Sequence, residues 1–127
     1  MSGKPKILVV DDNAGNKLLL QYSLDGFYEV DFASNGLSAI NKFKENKYDL
    51  ILMDIYMPDI DGIETTQRIR KMENGSHIPI IALTAFSHRD QKLKCMAAGM
   101  DDYIIKPIHS QSLIDHINNY LKTSMIS

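Results

Sequence analysis

The segment Leu50–Asp54 (LILMD) is a run of four apolar residues that ends on a carboxylate. The runs at residues 6–10 and 78–83 are also almost entirely aliphatic. Strands that are covered on both faces have this composition, because neither face meets water. These three segments therefore predict the central strands of a parallel sheet.

Two further strand candidates complete the pattern. Glu29–Ala33 alternates polar and apolar residues, as an edge strand does, and Tyr103–Ile105 is a short final run. The stretches between the strands have helical spacing, which predicts three inward faces: Leu37, Ile40 and Phe43; Leu93, Met96, Ala97 and Met100; and Leu113, Ile114, Ile117, Tyr120 and Leu121. Four residues are of the types preferred at helix ends: Asn13, Asn35 and Ser110 as amino-terminal caps, and Gly99 as a carboxyl cap. Five βα units predict an α/β fold with a doubly wound parallel sheet.

The bulk composition predicts one soluble domain. At 127 residues and 44% hydrophobic, the chain is long enough for one core, and we expect a single domain over residues 1–127 with a core of about 6–122. The net charge of −2 gives nucleic-acid binding no electrostatic support. Cys95 is the sole cysteine, and no apolar stretch approaches the roughly 20 residues of a spanning helix. We therefore expect a cytoplasmic domain without membrane contact of its own.

Acidic residues follow two of the predicted central strands. Asp11 and Asp12 come after the first, and Asp54 ends the third. In a doubly wound sheet the functional site lies beyond the carboxyl ends of the strands, where Thr84 and Lys106 also fall. Several acids, one hydroxyl and one amine at this edge predict a site for a divalent cation and a phosphoryl group.

Four separate motifs occur in a characteristic order: Val9–Asn13 (VVDDN), Leu52–Pro58 (LMDIYMP) with Asp61-Gly62, Leu83–Ala85 (LTA) and Ile105–Pro107 (IKP). Together they resemble the receiver domains of two-component response regulators, and the resemblance runs from about Lys6 to Lys122. It implies a flavodoxin-like sheet with strand order 2-1-3-4-5.

The resemblance also implies a role for each site residue. Asp54 would accept a phosphoryl group from a histidine of a partner protein. Asp11, Asp12, Asp54 and a backbone carbonyl near Tyr56 would bind Mg²⁺ (or Mn²⁺), with Asp11 acting through a bound water. Thr84, Ala85 and Lys106 would contact the phosphoryl group. The charges favour this assignment independently, since three carboxylates and one lysine sum to −2 and one divalent cation would bring the site to zero.

Some other residues allow a structural as well as a functional interpretation. Thr84 and Tyr103 align with the residues that switch the family's conformation, although Tyr103 could simply be a half-buried strand aromatic. Lys106 and Pro107 could form an ordinary turn, whereas the resemblance implies a cis peptide bond between them. Tyr56 and Phe86 would flank the phosphoryl group and slow its hydrolysis by excluding water, or their rings could point away and cover the loops.

Two other functional classes fit the sequence less well. A phosphatase of the haloacid dehalogenase type needs a second acid two residues after its nucleophile, and Tyr56 occupies that position. A flavin carrier needs a hydroxyl- and glycine-rich loop after its first strand, where this chain has Asp11 and Asp12. The sequence therefore favours a phosphoacceptor signalling domain, which is not an enzyme beyond slow self-dephosphorylation.

The signalling context is predicted more coarsely. Asp12-Asn13 with Asn16, and the segments Ile80–Ala85 and Ala98–Tyr103, look most like receivers fused to hybrid sensor histidine kinases. The expected partners are a histidine kinase, a histidine phosphotransfer domain, or both, and a phosphorylation-dependent homodimer is a further expectation. The chain is either a stand-alone receiver or a part of a longer protein.

Overall fold

The structure, a computed structural model, describes residues 3–85 and 89–126. Five strands alternate with five helices: β1 Lys6–Val10, α1 Ala14–Leu24, β2 Glu29–Ala33, α2 Gly36–Glu45, β3 Leu50–Asp54, α3 Gly62–Arg70, β4 Ile80–Thr84, α4 Arg89–Ala98, β5 Asp102–Ile105 and α5 Ser110–Ile126. All strand pairs are parallel, and the order is β2-β1-β3-β4-β5. The predicted flavodoxin-like fold is confirmed, with β2 at one edge.

The sheet register brings the strand ends level with one another. Val10 is paired with Met53, and Asp54 with Leu83. On the far side of β4, Thr84 is paired with Ile105. The residues that follow β1, β3 and β5 therefore meet at one edge of the sheet.

Two apolar layers cover the sheet. The first contains Phe43, Ile69 and Cys95, from α2, α3 and α4. The second contains Leu20 of α1 and Leu113 of α5. Every residue of β3 and β4 is buried, as their unbroken apolar sequences predict. Because burying one large aliphatic side chain contributes about 1.5–3 kcal/mol, these strands form a rigid base for the loops beyond them.

The helix ends agree with the sequence except in α5. Asn13 and Asn35 cap α1 and α2 by accepting hydrogen bonds from Asn16 N–H and Ser38 N–H. Gly99 has φ of 109° after the end of α4, as its type predicts. Ser110 was expected to be a cap but is the first helical residue, and its hydroxyl is hydrogen-bonded at 2.6 Å to that of Ser23. It ties α5 to α1 instead of closing its own helix.

Two predicted inward faces are partly wrong. In α4, Leu93 is 58% exposed and Met96 is 42% exposed, whereas Cys95 is fully buried. In α2, Leu37 is also exposed. Helical spacing identifies side chains that share a face, but it does not say which face the sheet covers, and in α4 the small Cys95 and Ala98 allow a closer approach. Helix α4 therefore presents the apolar side chains of Leu93 and Met96 to solvent.

Two strand boundaries also move. β4 begins at Ile80 instead of Ile78, after Pro79, which has no backbone N–H to donate, and the Ile78 carbonyl accepts a hydrogen bond from Arg70. β5 begins one residue earlier than predicted, at Asp102. Within the described part of the chain, no helix is long and apolar enough to cross a membrane.

Candidate functional site

Three carboxylates meet where β1 and β3 end. Asp11, Asp12 and Asp54 each offer one oxygen atom, and these oxygens lie within 4.8 Å of one another. Asp11 and Asp54 are buried, whereas Asp12 is exposed. The cluster thus has a buried base and a mouth open to solvent.

Lys106 brings a positive charge to this cluster from the end of β5. Its Nζ atom lies 3.5 Å from Asp11 Oδ2 and 3.5 Å from Asp54 Oδ1. Its backbone N–H donates to the Thr84 carbonyl at 2.7 Å, which fixes it next to β4. The peptide bond between Lys106 and Pro107 is cis, as the resemblance implied. One ammonium group therefore faces two buried carboxylates, which leaves the site with excess negative charge.

Electrostatic strain is concentrated on Asp54. Burial raises the pKa of this carboxyl to about 6, while Lys106 opposes the shift and Asp11 adds to it. The usual cause of such an increase is that a buried carboxylate loses hydration that its neighbours do not replace. A cation beside Asp54 would lower this pKa again and so stabilise the ionised, nucleophilic form.

The donor set fits a hard divalent cation. Mg²⁺ prefers carboxylate, carbonyl and water oxygens, and it rarely has an all-protein ligand shell. Here three carboxylate oxygens converge, the cluster found among the described residues includes no Cys or His, and Asp12 leaves an open side for water. The cluster therefore has the composition of a magnesium site.

The other predicted site residues surround this edge to different degrees. Thr84 is 1% exposed and ends β4, and Ala85 follows it on the surface. Tyr56 is 55% exposed, with its hydroxyl donating to Gln91 Oε1 of α4 at 3.5 Å. Phe86 lies outside the described residues. The ring of Tyr103 is partly buried, with Lys92 Nζ at 5.2 Å from its centre.

Asp59 and Arg70, which the sequence analysis did not identify, bind backbone groups of neighbouring segments. Asp59 accepts hydrogen bonds from the Gly36 and Leu37 N–H groups of α2. Arg70 donates to the carbonyls of Gly75, Ile78 and Gly99 and to the Asp101 carboxylate. All these partners except Gly75 and Ile78 are at least 22 residues away, so no local pattern could have revealed the contacts.

Comparisons with known proteins agree with the fold. The sequence profile of the response regulator receiver domain matches residues 7–118. Sensor protein GacS of Pseudomonas syringae is 41% identical over 116 residues, which cover 88% of this chain, and the histidine-protein kinase BarA of Escherichia coli is 38% identical over 95% of it. Among solved structures, the chain is similar to the receiver domain of sensor histidine kinase PA1611 from Pseudomonas aeruginosa, whose crystal structure has magnesium coordinated in its active site cleft. The TM-score is 0.88 and the sequence identity is 35%, and the match covers 94% of this chain and 99% of that one.

Together with the doubly wound sheet and with the acids and lysine at its carboxyl edge, these similarities place the chain in the phosphorelay class of signalling domains. The chain belongs to the response regulator receiver domain family. Its curated relatives include hybrid histidine kinases, and the chain spans between 7% and 16% of the length of those it matches.

Proposed function

We propose that this domain accepts a phosphoryl group on Asp54 from a phosphohistidine of a partner protein, in a reaction that requires Mg²⁺ or Mn²⁺. The observation that carries the proposal is the position of Asp54, which is buried at a strand end within reach of Lys106 and two further acids. Asp54 is a buried charged residue and not part of the apolar core. A buried carboxylate in such surroundings is a candidate functional group.

The proposed reaction moves one phosphoryl group between two side chains. An Asp54 oxygen attacks the phosphorus, the bond between phosphorus and the partner's imidazole nitrogen breaks, and the nitrogen keeps the electron pair. The product is an acyl phosphate on Asp54. A carboxylate is a competent nucleophile when the surrounding negative charge is neutralised.

Neutralisation is divided between the protein and the cation. The metal ligands would be Asp12, Asp54 and the backbone carbonyl of Tyr56, with Asp11 acting through water; when bound, the cation supplies charge stabilisation of the phosphoryl oxygens. Lys106 would form an ion pair with one phosphoryl oxygen. The Thr84 hydroxyl and the Ala85 N–H group would donate hydrogen bonds to the others.

Acetyl phosphate tests the proposal without a partner. Incubation with Mg²⁺ should add one phosphoryl group by intact mass spectrometry, and Asp54→Asn should not be labelled at this site. Excess EDTA should prevent labelling of the wild type. Labelling of Asp54→Asn at an unchanged level would exclude Asp54 as the acceptor, and full labelling in EDTA would exclude the metal requirement.

The proposed context is a multistep relay. The hybrid kinases among the relatives support a role as the receiver part of a hybrid sensor histidine kinase, which exchanges the group with a histidine kinase or a histidine phosphotransfer domain. Transfer from the purified phosphorylated domain to a phosphotransfer domain would test this role. Decay of the acyl phosphate at the same rate with and without the histidine partner would contradict it.

The proposed output is a conformational switch that involves Thr84 and Tyr103. A hydrogen bond from Thr84 to the phosphoryl group would open space for the Tyr103 ring and so alter the α4 surface. Exposed Leu93 and Met96 on α4 and Ile105 on β5 support a phosphorylation-dependent homodimer on this side. Light scattering with and without beryllofluoride would test self-association, and an unchanged mass at high concentration would contradict it.

A further inference from the structure

Asp59 binds the start of α2 from the loop that follows the acceptor strand. This loop comprises residues 55–61, which we call the β3–α3 loop. The Oδ1 atom of Asp59 accepts a hydrogen bond from Gly36 N–H at 3.0 Å, and its Oδ2 atom accepts one from Leu37 N–H at 2.9 Å. Both carboxylate oxygens are therefore used, and both on the same helix end.

These two bonds complete the amino-terminal cap of α2. A helix leaves its first N–H groups without partners inside the helix. The side chain of Asn35 accepts from Ser38 N–H, and Ala39 N–H makes the first helical bond, to the Asn35 carbonyl. Asp59 takes the two donors that remain, so α2 depends on the β3–α3 loop for its cap.

Close packing reinforces the contact. A Cβ atom added at Gly36 would lie 2.5 Å from Ile60 Cγ1 and 2.3 Å from Thr65 Oγ1. Both distances are far below van der Waals contact, so the first turn of α2 packs tightly against the side chains of Ile60 in the loop and Thr65 in α3. A larger residue at position 36 would force Ile60 or Thr65 to shift.

The base of the β3–α3 loop is fixed at its other end. Gly62 N–H donates to the Ile55 carbonyl at 2.8 Å, and Asp61 caps α3 by accepting from Glu64 N–H. Tyr56 thus lies between an anchored residue, Ile55, and the attachment to α2 three residues further on. Its backbone carbonyl is the proposed metal ligand that lies in this loop.

We propose that Asp59 is a positioning residue: by binding the amino terminus of α2 it holds the β3–α3 loop so that the Tyr56 carbonyl faces the metal. The inference rests on the proposed metal site. Desolvation favours a higher pKa for this exposed carboxyl, but the amide donors of Leu37 and Gly36 outweigh it and hold the pKa of Asp59 below its usual value. The ionised carboxylate is therefore favoured. It is then also attracted by the positive end of the α2 dipole.

Measurement of Mg²⁺ affinity in folded protein distinguishes a positioning role of Asp59 from an effect on folding stability alone. Titrations with Mg²⁺ alone, followed by backbone amide shifts at a temperature where every variant is fully folded, give the dissociation constant without any phosphorylation. We expect Asp59→Asn to weaken Mg²⁺ binding about tenfold, the lower end of the losses caused by removing support from metal ligands. Amide exchange at Gly36 and Leu37 should accelerate in the same variant.

Two further variants separate geometry from charge. Gly36→Ala leaves every charge in place but crowds Ile60 of the β3–α3 loop and Thr65 of α3, and the resulting shift of the loop should weaken Mg²⁺ binding in the same way. Glu73→Gln removes one negative charge from an exposed position at the opposite edge of the sheet and should leave the affinity within about twofold of the wild type.

The outcomes are distinct. Wild-type Mg²⁺ affinity in Asp59→Asn would overturn the positioning role while leaving the metal site intact. Weaker binding in Asp59→Asn together with wild-type affinity in Gly36→Ala would overturn it too, because the effect would then be one of charge. A wild-type protein that binds no Mg²⁺ would refute the proposed metal site itself.

Discussion

Replacing Asp54 by asparagine should stabilise the metal-free protein at neutral pH. Burial raises the pKa of this carboxyl from 3.8 to about 6, so the native state binds more protons than the unfolded state between these two values. The free energy of unfolding therefore falls as the pH rises through this window. Asparagine resembles the protonated carboxyl in shape and does not ionise, so the variant avoids this loss.

The expected size follows from the pKa shift. A shift of about two units corresponds to about 3 kcal/mol at 1.36 kcal/mol per unit, and water at the open mouth of the site reduces this value, so we expect a gain of about 1–2 kcal/mol at pH 7. For a chain of this length, this gain would raise the melting temperature by about 4–8 °C. Saturating Mg²⁺ should stabilise the wild type by about 1.4 kcal/mol at ten times its dissociation constant, and the variant less.

Urea unfolding followed by far-ultraviolet circular dichroism measures this difference. Wild type, Asp54→Asn and the charge-matched control Glu73→Gln would be compared in EDTA at pH 7 and at pH 4. The gain should be present at pH 7, should nearly vanish at pH 4, and should be absent in the control. An Asp54→Asn variant that is no more stable than the wild type at pH 7 would refute the electrostatic reasoning, as would a gain that persists unchanged at pH 4.

Three further predictions concern the surroundings of the site. Arg70→Met should lower the free energy of unfolding by about 2–4 kcal/mol in the same urea assay, because the carbonyls that accept from Arg70 lose a charged donor. Arg68→Met loses only an exposed ion pair with Glu64 and should lower it by less than about 1 kcal/mol. Equal losses in the two variants would contradict this ranking. Thr84→Ala should still be phosphorylated by acetyl phosphate but should show weak NMR shifts in α4 on beryllofluoride binding, and wild-type shifts there would exclude the switch role. The double variant Tyr56→Asn with Phe86→Glu should shorten the lifetime of the acyl phosphate severalfold, because polar side chains can orient an attacking water, and equal decay rates in one Mg²⁺ buffer would exclude the shielding role.

The strands, and the convergence of acidic residues beyond their carboxyl ends, could be predicted from the sequence. Unbroken aliphatic runs can be strands only if both faces are covered, so β3 and β4 could be recognised locally. Asp11 and Asp54 follow such runs, and parallel strands end at one edge, so their convergence was predictable as well. The strand order came from the resemblance, since periodicity alone does not fix which strands are neighbours.

Tertiary structure decided which helix faces are buried and which distant groups support the site. Leu93 and Met96 share a face with the spacing of a core, yet the sheet covers Cys95 instead, because packing distance and not hydrophobicity alone selects the face. The sequence alone does not show that Asp59 binds the start of α2, because its partner Leu37 lies 22 residues earlier in the chain. Hydrogen bonds of this kind join groups whose separation depends on the whole fold, and no local pattern of residues encodes them.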